Sequence, residues 1–444
     1  MKKVLVLAYY FPPTGGAGVW RTLKFVKYLP AWGWKPMVVT PRNPDYPYHD
    51  PSLLQEVPLE AEVHRVSSIE LGRWYRRLMK KLALPRHKDA AADPQPTSPQ
   101  PPRPKHPFFR LARDLVYNFI FVPDFHIGWI PFAVVRGLSL LRRHNIDVVY
   151  ATGNPFSTFL AGLWISLLSG KPLVLDMRDP WALNPYYPQD RSGALHRFWE
   201  RRCISRARRV LFVGDGFCQG YREYYRDMPQ EKFTFITHGY DSDDFQSLVP
   251  CKGDRFTISH IGTLTSLRTP DALFQAVRKL LGEQPELEAR ICIRFVGAES
   301  YYAKEVSRAL GLQKVVEIIP YVDHRASLQY MLDSHVLLLL SYHLSNPLLT
   351  SITGKVYEYL ASGVPILALT PEAGAASMIR EARAGMVVDP DDPVAIKEAL
   401  FRMYQDYERG EESCATDMAY VQRFDRKVLA GELSSLLDEV AGHE

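Results

Sequence analysis

The chain has 444 residues, 46% hydrophobic and 23% charged, with a net charge of +5. That length exceeds one ordinary core and the apolar fraction excludes a wholly disordered chain, so two globular domains are expected. Five cysteines, Cys203, Cys218, Cys251, Cys292 and Cys414, are odd in number and lack CxxC or zinc spacing, which points to reduced thiols in a cytoplasm rather than a disulfide framework.

Charge is divided unevenly. Residues 1–250 hold 34 Lys+Arg against 22 Asp+Glu, net +12, and the remainder nets −7. A basic amino-terminal half suits an anionic surface or substrate; solvated helix faces around Arg201, Arg202, Arg206, Arg208 and Arg209 account for it equally well.

The opening MKKVLVLAYYFPP has an apolar run too short for a secretory signal and no small-residue cleavage site, so it reads as a first buried strand. It leads into Pro12-Pro13-Thr14-Gly15-Gly16-Ala17-Gly18, where glycine removes the Cβ that would hold a ligand off the backbone. A helix expected over 19–29 points its N-terminus at the same gap. The spacing is not the dinucleotide GxGxxG, and the second strand, PMVVT, runs into Pro41-Arg42 without an acidic residue.

Residues 71–84 mix Trp74, Tyr75, Leu78, Met79 and Leu82 with five cations, a pattern for lipid contact or for ordinary packing. Residues 86–107 are Pro-rich and aliphatic-poor, expected as a mobile insertion. The aromatic stretch 108–141 is interrupted by Arg110, Arg113, Asp114, Asp124, His126 and Arg136, so no spanning helix is expected.

Short aliphatic runs then alternate with amphipathic ones: DVVYA, a helix over 156–168, PLVLDMRD and VLFVG, followed by FTISHIGT, a helix over 270–281, IRFVG, VVEIIP, HVLLLLS, a helix carrying Glu358, PILALT and MVVDP. That order implies the α/β class with parallel strands and crossover helices, in two doubly wound domains over 1–240 and 250–412. FTFITHGYDSDDF joins them, and one long polar helix over 416–440, within a closing segment 413–444, is expected to return to the first domain.

Chemistry concentrates in TSITGKVYEYLASGVPILAL, which sets Glu358 one turn inside a helix that opens at a small-residue loop. Such a start offers backbone N–H groups and a positive dipole end to an anion, while a carboxylate accepts hydrogen bonds from paired hydroxyls; a nucleoside diphosphate sugar offers both. Lys355 lies on the same face, where the plain alternative is an intrahelical ion pair of little worth. Gly262-Thr263-Leu264-Thr265-Ser266-Leu267-Arg268 follows a strand and ends in a cation able to neutralise a departing diphosphate, though a surface Arg there is equally ordinary. Arg178 and Asp179, closing PLVLDMRDPW, lie where a doubly wound sheet binds ligands, with a buried ion pair as the alternative. Asp241 to Asp244 and Asp389 to Asp392 sit at turns beside Gly or Pro and read as caps, so no metal is expected, and no nucleic-acid partner.

Together these segments resemble the retaining glycosyltransferases of family 4, with two facing Rossmann-like domains and an interdomain cleft, the GT-B fold. The resemblance runs through YYFPPTGGAGVWRTLKFVKYLPAWGWKPMVVT, THGYDSDDF, HIGTLTSLRTPDAL, IRFVG, KVYEYLASGVPILAL and AGMVVDPDDP. It implies that Gly15 and Gly16 lie near the transferred sugar and phosphate, that Gly262, Thr263 and Arg268 meet the donor with Arg268 as the cation on the diphosphate, and that Gly354 and Lys355 supply N–H donors. It further implies Glu358 as the ribose ligand and Tyr321-Val322 as the segment at the base. Three departures stand out: Thr350 replaces the family's first glutamate, Thr263 replaces a frequent arginine, and Arg178-Asp179 stands where many members have a histidine.

The expected reaction is sugar transfer from a nucleoside diphosphate sugar to a hydroxyl acceptor with retention, without cofactor or metal, catalysed with Arg268 and Glu358. The acceptor expected is a lipid-linked saccharide at an anionic cytoplasmic membrane face, in polysaccharide or glycolipid assembly. A sugar-nucleotide epimerase of similar fold and a non-catalytic nucleotide-sugar sensor are the alternatives.

Overall fold

The computed structural model describes residues 1–45, 49–73, 121–184, 191–262, 264, 269–297, 301–341, 352–372, 374–411 and 413–442. The insertion 86–107, most of the basic segment 71–84, and residues 108–120 lie outside these. The chain forms two compact units, Met1–Thr237 with Leu429–Glu444, and His238–Val428.

The amino-terminal unit is built on seven parallel strands: β1 (Lys2–Ala8), β2 (Trp34–Pro41), β3 (Glu62–Val66), β4 (Val148–Gly153), β5 (Leu173–Met177), β6 (Arg209–Phe212) and β7 (Phe233–Phe235). Their order is β3-β2-β1-β4-β5-β6-β7. Central strands such as VLVLA and VVYATG are buried on every residue, as a sheet covered by helices on both faces requires. The edge strand β3, EVHRV, is only half-buried throughout, so its polar pattern gave no strand signal.

Helices α1 (Ala17–Tyr28), α2 (Ile130–Arg143), α3 (Ser157–Ser169), α4 (Arg191–Arg206) and α5 (Asp215–Tyr224) connect these strands. The expected single closing helix is instead two, α12 (Met418–Gln422) and α13 (Arg426–Ala441), separated where Asp425 bridges to Tyr240. Nor is α13 polar throughout. Leu429, Leu433, Leu437 and Val440 recur at helical spacing and are buried with Val4, Val6, Leu23 and Trp34 in the core of the amino-terminal unit. At Gly431 a Cβ would lie 2.7 Å from the Trp32 ring, so this close approach requires glycine.

The carboxy-terminal unit has six parallel strands, β8 (Phe256–Ile261), β9 (Ile291–Val296), β10 (Val316–Ile319), β11 (Val336–Leu340), β12 (Ile366–Leu369) and β13 (Gly385–Val388), in the order β10-β9-β8-β11-β12-β13. Its helices are α6 (Asp271–Glu283), α7 (Tyr301–Ala309), α8 (His324–Leu332), α9 (Gly354–Ser362), α10 (Ala375–Glu381), α11 (Pro393–Glu408) and α12. Two apolar clusters cover the sheet, one around Phe274, Ile293 and Leu338, the other around Tyr357, Leu360 and Ile366. Each unit is therefore a doubly wound α/β fold, as the strand and helix alternation implied. In each, the strand order reverses once, between β1 and β4 and between β8 and β11, and the crevice beyond the carboxyl ends at such a point is where these folds bind ligands.

Candidate active site

In the carboxy-terminal unit the reversal point is formed by the end of β8 and the start of α9. Helix α9 forms because Val356, Tyr357, Tyr359 and Leu360 give a buried stripe, and Gly363 stops it in the left-handed region at φ 67°. Its N-cap, Thr353, makes no side-chain cap bond. The first-turn N–H groups of a helix have no partner within it, so here they are directed at whatever lies beyond β8.

A side chain that sequence reasoning missed fixes α9 in place. The Tyr359 hydroxyl accepts from the Ile261 N–H at 2.8 Å and lies 3.4 Å from the Leu338 carbonyl, clamping the helix onto both β8 and β11. Burial, offset in part by that backbone bond, raises its phenol above the ordinary range, so it remains a neutral hydroxyl. Its signal was the polar-tipped aromatic at a core position of KVYEYL.

Gly262 ends β8 at φ +131°, and a Cβ there would lie 1.2 Å from the Lys355 Nζ. The ammonium thus rests against bare backbone at the helix start. Gly297, at the end of β9 and φ +111°, packs beneath, where its Cβ would come 3.2 Å from the Gly262 Cα. The Gly262 N–H donates to Val296 at 2.6 Å. Two glycines therefore make a floor of bare backbone that carries the Lys355 ammonium, and of these Gly297 was missed although IRFVG ends in it.

Gly354 opens α9 and Glu358 lies one turn on, half-buried. The Lys355 side chain is turned to Gly262. Tyr321 and Val322 follow β10, two strands from β8; Tyr321 is 68% exposed while Val322 packs on the apolar cluster beneath. Arg268 and Thr263 lie outside the described residues.

In the amino-terminal unit Gly15 is buried and Gly16 forms the N-cap of α1 at φ 85°, ψ 171°, backbone angles that favour glycine. The Arg178 guanidinium is engaged by backbone carbonyls. Its Nε donates to the Gly153 carbonyl at 3.0 Å, Nη2 to Asn154 at 2.7 Å, and Nη1 to Gly18. It ties the glycine loop to the end of β4, as a positioning residue, while Asp179 is exposed beside it.

Among the described residues of this unit, Arg21 and Asp176 form a buried ion pair at 3.0 Å. Arg21 also donates to the carbonyls of Ile236 and Thr237, and Asp176 accepts from the Thr152 hydroxyl at 2.8 Å. Beyond the carboxyl end of β1, the Tyr9 hydroxyl donates to Glu70 at 2.7 Å, with His126 Nδ1 3.7 Å from the same carboxylate. Burial opposes the charge of Glu70, yet the nearby polar groups of His126, Ser68 and Tyr9 outweigh it and hold the carboxyl below its ordinary range. In the sequence His126 registered only as an interruption of an apolar run.

Glu200 supports the loop after β5. It accepts from the Ala182 N–H at 2.7 Å and from the hydroxyls of Tyr221 and Tyr225 at 2.8 and 2.7 Å. Burial pushes it up to about 7 against the opposing effect of those bonds. Its folded value lies above its ordinary 4.5, so its stabilising contribution is complete below that pH and is lost as pH rises through about 7. Denaturant melts between pH 5 and 8 should show the amino-terminal unit losing stability, and Glu200→Gln should flatten that slope. An equal slope in the variant would assign the pH dependence elsewhere.

The acid clusters act as caps: Asp241 accepts from Asp243, Asp389 from Asp391, and Asp392 from Val394 and Ala395 at the start of α11.

A parallel doubly wound sheet whose strand order reverses beside a helix N-terminus belongs to the α/β class that binds ligands in that crevice. The sequence model for glycosyl transferases group 1 matches residues 243–415, and that for Glycosyltransferase Family 4 matches residues 91–244. The chain belongs to these GT-B glycosyltransferases. It is 31% identical over 146 residues to a D-inositol 3-phosphate glycosyltransferase of Streptomyces scabiei, covering 31% of this chain and 31% of that relative. The chain thus spans about a third of the length of that relative. Among solved structures, Anabaena Alr3699/HepE in complex with UDP-glucose superposes with a TM-score of 0.62 at 14% identity, covering 99% of this chain and 100% of that one. A putative UDP-N-acetylglucosamine 2-epimerase from Listeria monocytogenes gives 0.56 at 12% identity, covering 99% and 96%.

Proposed function

We propose that the protein transfers a sugar from a nucleoside diphosphate sugar to a hydroxyl acceptor, with retention at the anomeric carbon. The observation that carries this reading is the Lys355 ammonium set on Gly262 at the N-terminus of α9. The relative bound to UDP-glucose supports the donor class. In this reading the N–H groups of Gly354 and Lys355, the Lys355 ammonium and Arg268 meet the diphosphate. Glu358 accepts from the ribose hydroxyls, and Tyr321-Val322 border the base. Gly15 and Gly16 allow close backbone approach to the sugar, and Asp179 stands on the acceptor side.

The bond from the anomeric carbon to the phosphate oxygen breaks, and the acceptor oxygen bonds that carbon on the same face. The acceptor proton passes to a phosphate oxygen of the departing nucleoside diphosphate. Negative charge grows on that phosphate as the bond breaks, so cations and the helix dipole aimed there stabilise the transition state more than the ground state. No metal or cofactor is invoked. We assign the acceptor to lipid-linked saccharides at the inner face of a cytoplasmic membrane, in polysaccharide or glycolipid assembly. Among the described residues no helix is long and apolar enough to cross a membrane.

The test is a thermal-shift panel of nucleotides and sugar nucleotides, since a ligand that binds only the folded form raises its melting temperature. Nucleoside diphosphate release with an added acceptor then reads turnover. Glu358→Ala should weaken donor binding roughly tenfold to a hundredfold, the worth of a hydrogen bond to a charged group. Unchanged affinity in the folded variant would remove Glu358 from the ribose site. The second reading, an epimerase, has the Listeria structure in its favour; an isomeric sugar nucleotide formed without acceptor would select it.

A further inference from the structure

The outer helices of the amino-terminal unit carry a surface that sugar transfer does not use. Right-handed crossovers into β5 and β6 place α3 and α4 on one face of the sheet, and α2 packs beside α3. The Arg206 guanidinium donates to the carbonyls of Ser166 at 2.9 Å and Gly170 at 3.3 Å, which fixes the last turn of α4 beside the last turn of α3.

Helix α3 is buried over most of its length except at Trp164, Leu167 and Leu168, which are 43%, 52% and 64% exposed. Their i, i+3, i+4 spacing puts them on one side of the helix. Phe198 on α4 and Val135 on α2 extend the apolar ground to either side, and both are exposed. Isolated apolar residues on a surface are ordinary; three on consecutive turns of a central helix are not.

The exposed charges on these helices have one sign. Helices α2, α3 and α4 contain eight arginines and a single acid, Glu200, which is fully buried. Arg142, Arg143, Arg201 and Arg202 are exposed, as is Arg208 just after α4. Arg202 lies 5.3 Å over the Phe198 ring, and Arg201 pairs with Asp227 in an exposed bridge that contributes little. The carboxyl ends of these helices gather at the amino edge of the sheet, opposite the edge where ligands bind.

We propose that this face docks on an anionic phospholipid bilayer, with Trp164, Leu167, Leu168 and Phe198 entering the headgroup boundary while Arg142 and Arg202 meet lipid phosphates. Apolar side chains rimmed by arginine fit that boundary, where burial of CH₂ groups and attraction to anionic headgroups add. This surface lies away from the ligand edge, so the proposal concerns anchoring and stands apart from the choice of acceptor; it is tested without turnover, and the two can fail separately.

The experiment is flotation of the full chain with vesicles of phosphatidylcholine alone or mixed with phosphatidylglycerol. Retention is expected on the anionic vesicles, falling as salt screens the arginines, and not on the neutral ones. Arg142→Gln with Arg202→Gln should weaken retention about fivefold per arginine. Trp164→Ser, Leu167→Ser and Leu168→Ser together should abolish it at any salt. Both variants should stay folded and keep the nucleotide-induced shift, with the serine variant melting somewhat lower because Trp164 and Leu167 are half-buried. No retention on anionic vesicles overturns the proposal, as does retention that survives both sets of substitutions. Capture by heparin without vesicle binding would overturn it in favour of an acidic macromolecule.

Discussion

Asp176→Ala is expected to lower the stability of the amino-terminal unit by about 3–5 kcal/mol, the loss that follows when one partner of a buried pair is removed. Asp176 is fully buried and Arg21 is 5% exposed, so the arginine left behind cannot recover its charge compensation from water. It retains the carbonyls of Ile236 and Thr237, neither of which carries a compensating charge, while the Thr152 hydroxyl loses its acceptor. Set against a typical domain stability of about 5–15 kcal/mol, this consumes much of the total. For a unit of this size the melting temperature should fall by roughly 10 °C. The transition must be assigned to the amino-terminal unit, because two units need not melt together. The double variant Arg21→Met, Asp176→Leu should recover most of the loss, since both charges then leave the interior together. A fall below about 1 kcal/mol in Asp176→Ala would show that water reaches the pair and that burial is not what gives it weight.

The parallel sheets were legible because their strands are uninterrupted aliphatic runs, VLVLA or VLLLL, separated by helical periodicity. What escaped notice has a physical pattern. The strand β3 is an edge with half-buried polar residues, so neither alternation nor a continuous apolar run marks it. The last helix reads as polar because its buried stripe of Leu429, Leu433, Leu437 and Val440 is separated by Glu432, Ser435, Asp438 and Glu439, which face outward. Single-residue roles were harder still. Gly262, Gly354 and Lys355 could be named from a loop and a helix start, whereas Tyr359 and Gly297 depend on which strands become neighbours. Sequence spacing likewise suggested that Arg178 faced a ligand, and only the register of β4 beside β5 reveals the carbonyls of Gly153 and Asn154 within its reach.

Gly262→Ala is expected to reduce nucleotide affinity roughly tenfold to a hundredfold, through Lys355 rather than through the new methyl group alone. The added Cβ would fall 1.2 Å from the Lys355 Nζ, and the backbone there, at φ +131°, is one that alanine rarely adopts. The second effect should cost about 1–3 kcal/mol of stability in the carboxy-terminal unit. The first moves a flexible ammonium, which is cheap for the fold but takes the cation off the helix start where a diphosphate would meet it. A double-mutant cycle separates these contributions, because residues that act through one another are not additive. Lys355→Ala alone removes the cation and leaves the glycine floor intact. If Gly262→Ala acts by displacing that cation, the double variant should bind nucleotide little more weakly than Lys355→Ala while keeping the full stability loss of Gly262→Ala. Isothermal titration gives the affinities and denaturant melts give the stabilities. Losses of affinity that simply add would mean that Gly262 and Lys355 meet the ligand independently, and the floor would then serve the fold rather than the diphosphate.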